Sequence, residues 1–548
     1  MNATSAPKKQ PSPGPESRFR KAAPWLAVLA ASILFRLPPL INAPGTNSDA
    51  AIVGLQAMHI LRGEWSWFLL GSGYQTSVDS IVAAIVFFFT GPSALALMGS
   101  TLAEHILLTW FAFSILRRSF ARHPATSAET AGIWAAILVT PLIFTPDPVH
   151  TYVLYPPRQA SLTLVFFSLW LLDSASASAR PRLRFALGGA VAGLACFADP
   201  YGLLFLPGVA LLGLLSSLDR LDSSNRSEPG LPPRPLVLQR LGSALAGGLL
   251  GLIPYQLLIH HPLASRGQTK LGLASVPHNL ELLREVCLPW LLSTRIYAAQ
   301  HMSDYAPWET GAGYHAFQVL AATLLITGIF SGAVLFFSRK IPWETRRLGL
   351  ASAAMVPVTI GGFLVSPMVM DHFSSRYLVA ILLLAPLALA PLATRLPPRR
   401  LALALAPYLF SAAVSGWVSY APFGLTVHPS LAVDARVGAM LRERGIHHAV
   451  ADYWASYRLA FLYREDPLVV PTNAVEDRHK PSRDAVDAAS VVAYLHDAYR
   501  SRESLEGEER LIRSGGTPFE PEFERLTLDQ FTVLILKRKA LDARTVFR

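Results

Sequence analysis

The chain has 548 residues, of which 52% are hydrophobic and only 16% are charged, and its mean hydropathy is +0.36. Soluble domains carry about 25% charged residues, so this composition excludes an ordinary soluble protein and indicates several membrane spans. The net charge of +11 does not indicate nucleic-acid binding, because Lys and Arg cluster between apolar segments and no basic face is interleaved with aromatic residues. The two cysteines, Cys196 and Cys287, give neither a disulfide framework nor a metal motif.

The N-terminal region predicts a cytoplasmic tail followed by an uncleaved first span. Residues 1–21 are rich in Pro and Ser and end with Arg18, Arg20 and Lys21, which is typical of a disordered basic tail. The apolar residues 22–41 match the roughly 20 residues that cross a bilayer. The positive-inside rule places the tail in the cytoplasm and the next loop on the outer side.

The first outer loop, residues 42–94, begins with an aspartate beside the membrane. Asp49 starts a pattern of apolar residues at i, i+3 and i+4 spacing, which predicts an amphipathic helix. Ser48 or Asp49 is the expected N-cap of this helix, and a cap alone explains an acidic residue at this position. The apolar residues 80–90 are too few to cross the membrane, so they are expected to lie in the interface.

Ten further apolar segments bring the predicted number of spans to about eleven. In chain order they are 95–116, 133–144, 162–172, two short spans within 185–215, 241–259, 317–337, 348–368, 378–392 and 401–417. Each loop assigned to the cytoplasm carries three or more Lys or Arg residues, as the positive-inside rule requires. The transmembrane domain is therefore expected over residues 22–425, and an odd number of spans places the C-terminus outside.

The C-terminal residues 430–548 differ in composition and predict a small α/β domain. A helical pattern at 433–444 is followed by β-like runs at 447–451, 467–471 and 530–536. No Walker or dinucleotide glycine motif occurs, which argues against an ATP-driven pump. The sequence thus predicts a polytopic α-helical membrane protein with a C-terminal α/β domain on the extracytoplasmic side.

Polar residues gather where the predicted spans reach the outer side. They are Asp49, Asp79, Asp147, His150, Arg158, Asp199, His260, His261, Asp371, His372 and Arg376. Polar residues collect at the ends of membrane helices in any case, so their position alone assigns no role. Asp, His and Arg together could form a metal site, a proton path or an anion site, and composition and spacing do not choose between these alternatives.

The first outer loop also carries an ordered series of short motifs. They are Asp49, Gly63, Gly73-Tyr74 and Gly91-Pro92. Farther along, residues 374–390 contain an Arg-Tyr-Leu start of a late span, and residues 451–472 form a tail-domain segment. These features resemble the GT-C membrane glycosyltransferases. The nearest branch is the one grouped with protein O-mannosyltransferases and the lipid A aminoarabinose transferase.

The resemblance implies an inverting glycosyltransferase in the bacterial inner membrane, with a polyprenyl-phosphate sugar as donor and a glycan, lipid or protein as acceptor. Asp49 would then be the general base for the acceptor hydroxyl at the outer face. Arg158 or Arg376 would bind the leaving phosphate as a bidentate donor. The other expected substrate-binding residues are Asp147, His150 and Asp199.

One departure from the family pattern lies next to the expected base. Ala50 follows Asp49, where the family commonly has Glu. This difference argues against a two-carboxylate or metal-binding scheme, so the cofactor is unknown and a divalent metal stays open. An inactive family member is one alternative. A transporter or lipid flippase is another, although the two halves of the chain show no matching pair of broken helices.

Overall fold

The computed structural model describes residues 15–122, 126–219, 233–262, 264, 271–301, 304–419, 424–499, 501 and 503–539. Seven helical segments within these ranges are long and apolar enough to cross a membrane: Ala94–Ala121, Pro200–Ser217, Arg234–Ile259, Ala312–Phe337, Trp343–Leu364, His372–Ala393 and Pro398–Val418. Shorter apolar helices cover Ala22–Phe35, Val78–Thr90, Ala128–Ile143 and Gln159–Ser174. The predicted polytopic helical fold is confirmed, whereas the count of eleven spans stays a prediction.

The helices before the C-terminal domain are α1 (Pro15–Phe35), α2 (Leu37–Ile41), α3 (Ser48–Leu61), α4 (Val78–Thr90), α5 (Ala94–Ala121), α6 (Ala128–Leu138), α7 (Thr140–Ile143), α8 (Asp147–Leu154), α9 (Gln159–Asp173), α10 (Pro181–Ala198), α11 (Leu206–Ser217), α12 (Arg234–Ile259), α13 (Val276–Leu282), α14 (Leu288–Leu291), α15 (Ala312–Val334), α16 (Trp343–Ala353), α17 (Met355–Leu364), α18 (Ala380–Ala388), α19 (Ala390–Ala393) and α20 (Pro398–Ser419). Short 3-10 segments include Pro200–Phe205 and His372–Leu378. The two short spans expected within 185–215 correspond to α10 and α11, and Asp199 lies between them.

The N-terminal tail is shorter than the sequence predicts. Helix α1 begins at Pro15, so the last residues of the predicted disordered tail are helical. Proline suits the first turn of a helix, and the Arg and Lys residues that follow are good helix formers. Residues 1–14, the rest of the predicted tail, lie outside the described residues.

Helix α3 is a buried helix rather than an amphipathic one. Every residue from Ala50 to His59 is buried, because α3 packs against α4, α5 and the C-terminal domain. Its N-cap is Asn47, and neither Ser48 nor Asp49 as the sequence predicts. The extended backbone of Asn47 lets its side chain accept a hydrogen bond from the Ala50 N–H at 2.8 Å. Asp49 is therefore not needed as a cap.

Helices α10 and α12 pack with their backbones in contact. A Cβ atom at Gly189 would overlap the Ala244 carbonyl, and one at Gly193 would overlap the backbone at Gly251. Small residues permit such close helix packing in membranes. This pair fixes the end of α10, where Asp199 follows.

Buried ion pairs join the helices at the far end of α9. Arg347 on α16 is fully buried and donates a 2.9 Å hydrogen bond to Asp173 at the end of α9. It also pairs with Asp219 after α11. Arg118 on α5 contacts the second oxygen of Asp173 at 3.0 Å. Because α9 begins directly after Arg158, this cluster and Arg158 lie at opposite ends of one helix.

The C-terminal domain contains a mixed five-stranded sheet in the order β4-β3-β5-β7-β6. Its elements are α21 (Pro429–Glu443), β3 (His448–Ala451), α22 (Tyr453–Leu462), β4 (Leu468–Pro471), α23 (Lys480–Ala488), β5 (Val491–Asp497), α24 (Leu505–Arg513), β6 (Phe519–Leu528) and β7 (Phe531–Arg538). Strands β3, β4 and β5 are parallel, and β7 is antiparallel to both β5 and β6. The predicted α/β character is confirmed, although β5 and β6 were missed, as was the hairpin of β1 (Ile296–His301) and β2 (Asp304–Trp308).

Helix α22 of this domain packs directly on α3 of the first outer loop. The Phe461 ring lies against Gly54, where a Cβ would stand 2.6 Å from it. Glu465 hydrogen-bonds His59 at 2.8 Å and Arg62 at 2.7 Å. Burial raises the pKa of Glu465, but the hydrogen bonds and charges of these two partners outweigh it and leave the pKa below its ordinary value. The domain and the loop thus form one packed unit.

Candidate functional site

Asp49 lies at the junction between the first outer loop and the C-terminal domain. It occupies the first turn of α3 and is half-exposed. Its Oδ1 atom accepts a hydrogen bond from the Tyr453 hydroxyl at 2.6 Å. The Tyr453 oxygen in turn accepts one from Nη2 of Arg478 at 3.2 Å. These three residues form a chain of hydrogen bonds that runs from a cation to a carboxylate.

Local structure explains how the C-terminal domain presents Tyr453. Strand β3 ends at Ala451, and the Asp452 side chain caps α22 by accepting the Trp454 N–H at 2.9 Å. Tyr453 is consequently the first residue of α22 and points out of the carboxyl edge of the parallel strands. The Ser48 hydroxyl donates a 2.7 Å hydrogen bond to the Tyr453 carbonyl, which fixes that turn against α3.

Arg478 connects the same site to the loop between α3 and α4. Its Nη1 atom donates to the Gly71 carbonyl at 3.1 Å. Gly71 has φ +65°, and a Cβ there would lie 2.7 Å from Cα of Arg478. Only glycine allows both this conformation and this approach. The loop that carries Tyr74 is therefore held against the C-terminal domain.

The charges at this junction favour a protonated tyrosine next to a cation. Burial raises the pKa of Tyr453, and the charge of Asp49 raises it further. Burial lowers the pKa of Arg478, but its electrostatic interactions with Tyr453 and Asp49 outweigh this effect and the pKa is raised. At neutral pH Tyr453 is thus a hydrogen-bond donor toward Asp49, and Arg478 is positively charged.

A second group of residues is built around Arg158, immediately before α9. Arg158 adopts the left-handed conformation with φ +105°. The Asp79 carboxylate accepts the backbone N–H groups of Arg158 and Ala160, both at 3.1 Å. Asp79 therefore caps α9 from another helix, because Arg158 at the N-cap position makes no side-chain capping bond. This contact fixes the backbone from which the Arg158 side chain projects.

Two sets of contacts hold the Arg158 side chain, one at its Nε atom and one at its other guanidinium nitrogens. Its Nε atom donates to Asp199 at 3.1 Å, and Gln75 donates to the same carboxylate oxygen at 2.9 Å. Its guanidinium group also hydrogen-bonds the Tyr377 side chain. Arg376 donates to the Tyr377 hydroxyl as well, at 3.3 Å. Two guanidinium groups therefore meet at one tyrosine oxygen, which is a suitable arrangement for binding an anion.

The loop between α3 and α4 contacts both groups. The Gly71 carbonyl accepts a hydrogen bond from Arg478, and Gln75, four positions later, donates one to Asp199. Tyr74 lies between these two positions in the chain. Burial raises its pKa most, and Arg158, Asp199 and Arg376 also act on it electrostatically. The Asp49 group and the Arg158 group are therefore connected through one loop.

Two further predicted site residues, Asp147 and His150, lie on α8, which packs against the His372–Leu378 segment that carries Arg376. Asp147 begins α8, is buried, and acts electrostatically on Tyr155. His150 lies one turn later on α8, and its side chain is outside the described part of the structure. His261 packs edgewise on the Phe68 ring at 5.6 Å. The structure thus brings together Arg158, Asp199 and Arg376, and the loop between α3 and α4 connects them to the group that contains Asp49.

Five residues of these groups were not recognised from the sequence: Tyr74, Gln75, Tyr377, Tyr453 and Arg478. Tyr74 and Tyr377 lie within the Gly-Tyr and Arg-Tyr-Leu motifs and could have been found there. Tyr453 and Arg478 carry no local signal, since their partner lies 404 positions away from Tyr453. Within the described ranges, no group of three or more His, Cys, Asp or Glu residues is arranged to hold a metal ion.

Comparison with known proteins identifies structural matches only. No protein-family model matches the chain, and no curated protein matches it. The chain is similar to ArnT from Cupriavidus metallidurans in the apo state, with 13% identity, a TM-score of 0.49, and coverage of 94% of this chain and 98% of that one. The same protein bound to undecaprenyl phosphate matches with 10% identity, a TM-score of 0.47 and the same coverage.

The oligosaccharyltransferase of Archaeoglobus fulgidus, in complex with Zn and sulfate, matches with 13% identity and a TM-score of 0.45, over 86% of this chain and 67% of that one.

Proposed function

We propose that this protein is a membrane glycosyltransferase that moves a sugar from a polyprenyl-phosphate donor to an acceptor hydroxyl. The observation that supports this proposal best is the loop between α3 and α4, which contacts Arg478 of the Asp49 group and Asp199 beside Arg158. A carboxylate and an anion site connected through one short loop match the two demands of the reaction. The motif resemblance of the first outer loop supports the same activity.

The reaction is a single displacement at the anomeric carbon. The acceptor oxygen attacks that carbon while Asp49 takes its proton, so the carbon–oxygen bond to the acceptor forms as the bond to the phosphate oxygen breaks. The leaving lipid phosphate keeps the electron pair. Arg158, Arg376 and the Tyr377 hydroxyl stabilise its added negative charge. One displacement inverts the anomeric configuration.

The acidic residues near Arg158 have a different role from Asp49. Asp79 holds the backbone of Arg158, and Asp199 holds its Nε atom, so the remaining guanidinium nitrogens are directed toward Tyr377. An arginine whose rotamer is fixed in advance loses less entropy on binding a phosphate. We assign Asp199 to donor binding through Arg158, whereas Asp147 and His150 stay as candidate substrate-binding residues on α8.

Ala50 occupies the position of the second acidic residue in the family motif. Ala50 is fully buried, whereas Asp49 is half-exposed. The two residues therefore face different surroundings, and a single carboxylate is sufficient for proton transfer. The substitution is compatible with an active enzyme.

The site is expected at the outer face of the bacterial inner membrane, with the N-terminus in the cytoplasm and residues 430–548 outside. The donor lipid would reach it along the bilayer. Helix α4 exposes three large apolar residues, Ile85, Phe88 and Phe89. Their exposure supports an interfacial helix next to the lipid. The acceptor is proposed only as a glycan, lipid or protein hydroxyl.

The test is the substitution Asp49→Asn, measured as sugar transfer from a purified polyprenyl-phosphate sugar. A general base should lose about 10² to 10⁴ in rate. Thermal stability should change little, because Asn47 caps α3. Asp484→Asn is the control, since Asp484 is an exposed residue that pairs with Lys480 on α23. A stable Asp49→Asn protein that transfers sugar at the parent rate would contradict the base assignment. Absence of any sugar transfer by the parent protein would instead favour a transporter or flippase.

A further inference from the structure

We infer that Tyr453 and Arg478 of the C-terminal domain are positioning residues for Asp49, so that this domain completes the reactive site of the membrane domain. The inference rests on the proposed role of Asp49 as general base. Neither residue touches the reacting atoms. They act by holding the carboxylate in one orientation.

The direction of the hydrogen bonds follows from the chemistry of the three groups. A guanidinium group can only donate, and an ionised carboxylate can only accept. The Tyr453 hydroxyl lies between them, 3.2 Å from Nη2 of Arg478 and 2.6 Å from Oδ1 of Asp49. It must therefore accept from Arg478 and donate its proton to Asp49. Arg478 thus fixes the direction of the Tyr453 hydroxyl.

The hydrogen bond on Oδ1 has a consequence for Oδ2. Tyr453 is the hydrogen-bond partner that the described residues provide to the Asp49 side chain. A carboxylate pinned by one oxygen can no longer rotate about its terminal bond without losing a short, charge-assisted bond. Its second oxygen is therefore presented in a fixed direction, where it can take the proton of an acceptor hydroxyl.

The surrounding contacts make this arrangement depend on domain packing. Ser48 directly precedes Asp49, and its hydroxyl donates a hydrogen bond to the Tyr453 carbonyl. Arg458, fully buried in α22, donates to the Pro44 carbonyl at 3.2 Å. Arg478 binds the Gly71 carbonyl in the loop that carries Tyr74. Together these contacts hold both sides of the junction, and the hydrogen bond from Tyr453 to Asp49 forms only when the two parts meet.

A purely structural role for Tyr453 would give a different kinetic result. If the residue only holds the domains together, its loss should lower stability and weaken donor and acceptor binding as the surface loosens. If it positions Asp49, its loss should lower kcat while KM for the donor stays the same, because the phosphate is bound by Arg158 and Arg376.

The experiment is Tyr453→Phe in the full-length enzyme, with a polyprenyl-phosphate sugar as donor. Removing one hydrogen bond to a charged group should lower kcat by about 10- to 100-fold, with donor KM changed by less than about twofold. Tyr463→Phe is the matched control on the same helix segment, because its hydroxyl donates only within the domain, to the Asp434 carbonyl at 2.8 Å. Arg62→Ala, which removes an exposed docking ion pair with Glu465, should leave kcat at the parent value.

Arg478 gives a second and independent readout. Arg478→Lys keeps a donor for Tyr453 and should retain more activity than Arg478→Ala. In the Asp49→Asn background, Tyr453→Phe should cause no further loss, because its effect passes through the carboxylate. An equal further loss in that background would overturn the inference.

The outcomes separate this inference from the proposed function. Parent kcat in Tyr453→Phe, together with a large loss in Asp49→Asn, would refute the positioning role and leave the general base in place. Parent activity in Asp49→Asn would refute the general base itself. A fall in stability and a rise in donor KM without a fall in kcat would assign Tyr453 to docking alone.

Discussion

At the scale of single residues, the acidic groups near the site divide into two kinds. Asp79 and Asp199 use their oxygens on the backbone and side chain of Arg158. From the described part of the chain, the Asp49 side chain receives one hydrogen bond, on Oδ1. A carboxylate whose oxygens already accept hydrogen bonds from the protein presents no unoccupied oxygen to a substrate hydroxyl. The pattern of contacts therefore separates Asp49 from the acids that hold an arginine.

The proposed anion site can be tested by a substitution of Arg376. Its guanidinium lies 5.2 Å from the centre of the Tyr377 ring and donates to the Tyr377 hydroxyl. Arg376→Lys keeps the charge but loses both the planar fork and the stacking. We expect about tenfold weaker donor binding, since a bidentate contact to phosphate becomes a single one.

The measurement is donor affinity, taken from the concentration dependence of transfer. Arg395→Lys serves as control, because Arg395 is exposed beyond α19 and contacts the Ser338 hydroxyl. Unchanged donor affinity in Arg376→Lys would mean that Arg376 serves the structure, for example through the nearby Asp371, rather than the phosphate.

At the scale of elements, the contact between α3 and α22 determines whether the site forms. Gly54 lies where the two helices meet, and a Cβ there would stand 2.6 Å from the Phe461 ring. The ring is only 3% exposed and stacks on Phe87 at 6.0 Å, so it has little room to move. The close approach of these helices depends on glycine at position 54.

Gly54→Ala is therefore expected to destabilise the protein and to lower activity. Overpacking of a buried contact typically costs about 1–3 kcal/mol. Gly99→Ala on α5 is the matched control, since a Cβ there meets no atom within 4 Å and alanine favours a helix. Thermal unfolding in detergent and transfer rates should be measured for both variants. A Gly54→Ala protein as stable and active as the Gly99→Ala protein would contradict this account of the packing.

At the scale of the whole molecule, charged residues occupy both ends of the helical domain. Arg158 and Asp199 lie at one end of α9, and the buried Arg347 with its two aspartates lies at the other. Basic residues of the loops at that second end indicate the cytoplasmic side by the positive-inside rule. The C-terminal domain packs at the first end, which leads to a prediction about its location.

We expect a membrane-impermeant reagent added outside the cell membrane to reach the C-terminal domain. Both native cysteines are buried, so a single introduced cysteine can report its own accessibility. Val475→Cys, at a position that is 91% exposed, should react with a membrane-impermeant maleimide in intact spheroplasts. Arg339→Cys, in the exposed loop between α15 and α16, should react only after permeabilisation. The opposite pattern would show that the predicted topology is inverted.

The amino-acid sequence by itself determined the class of the protein and the position of its elements along the chain. Runs of about 20 apolar residues must cross or lie in a bilayer, and their hydropathy is local information. The break at Asp199 between α10 and α11 could be predicted for the same reason. Three of the five strands of the C-terminal sheet also follow from short apolar runs.

Sequence patterns gave wrong predictions where the structure depends on contacts between residues that are distant in the chain. Helix α3 has an apolar pattern that predicts one buried face, yet it is buried on all sides because α22 covers the face that would otherwise meet water. The predicted N-cap, Ser48 or Asp49, lies one or two residues after the observed one. Asn47, Ser48 and Asp49 are consecutive residues that can each cap a helix, and the extended backbone of Asn47 decides between them.

The tertiary structure alone decided how Asp49 is held. Tyr453 lies 404 positions from Asp49, and their hydrogen bond arises because α22, which begins at Tyr453, packs against α3. Periodicity describes contacts within an element and cannot describe a contact made by the docking of two domains. Whether the Asp49 carboxylate is fixed in orientation depends on that contact, and it is therefore a property of the folded chain rather than of any local motif.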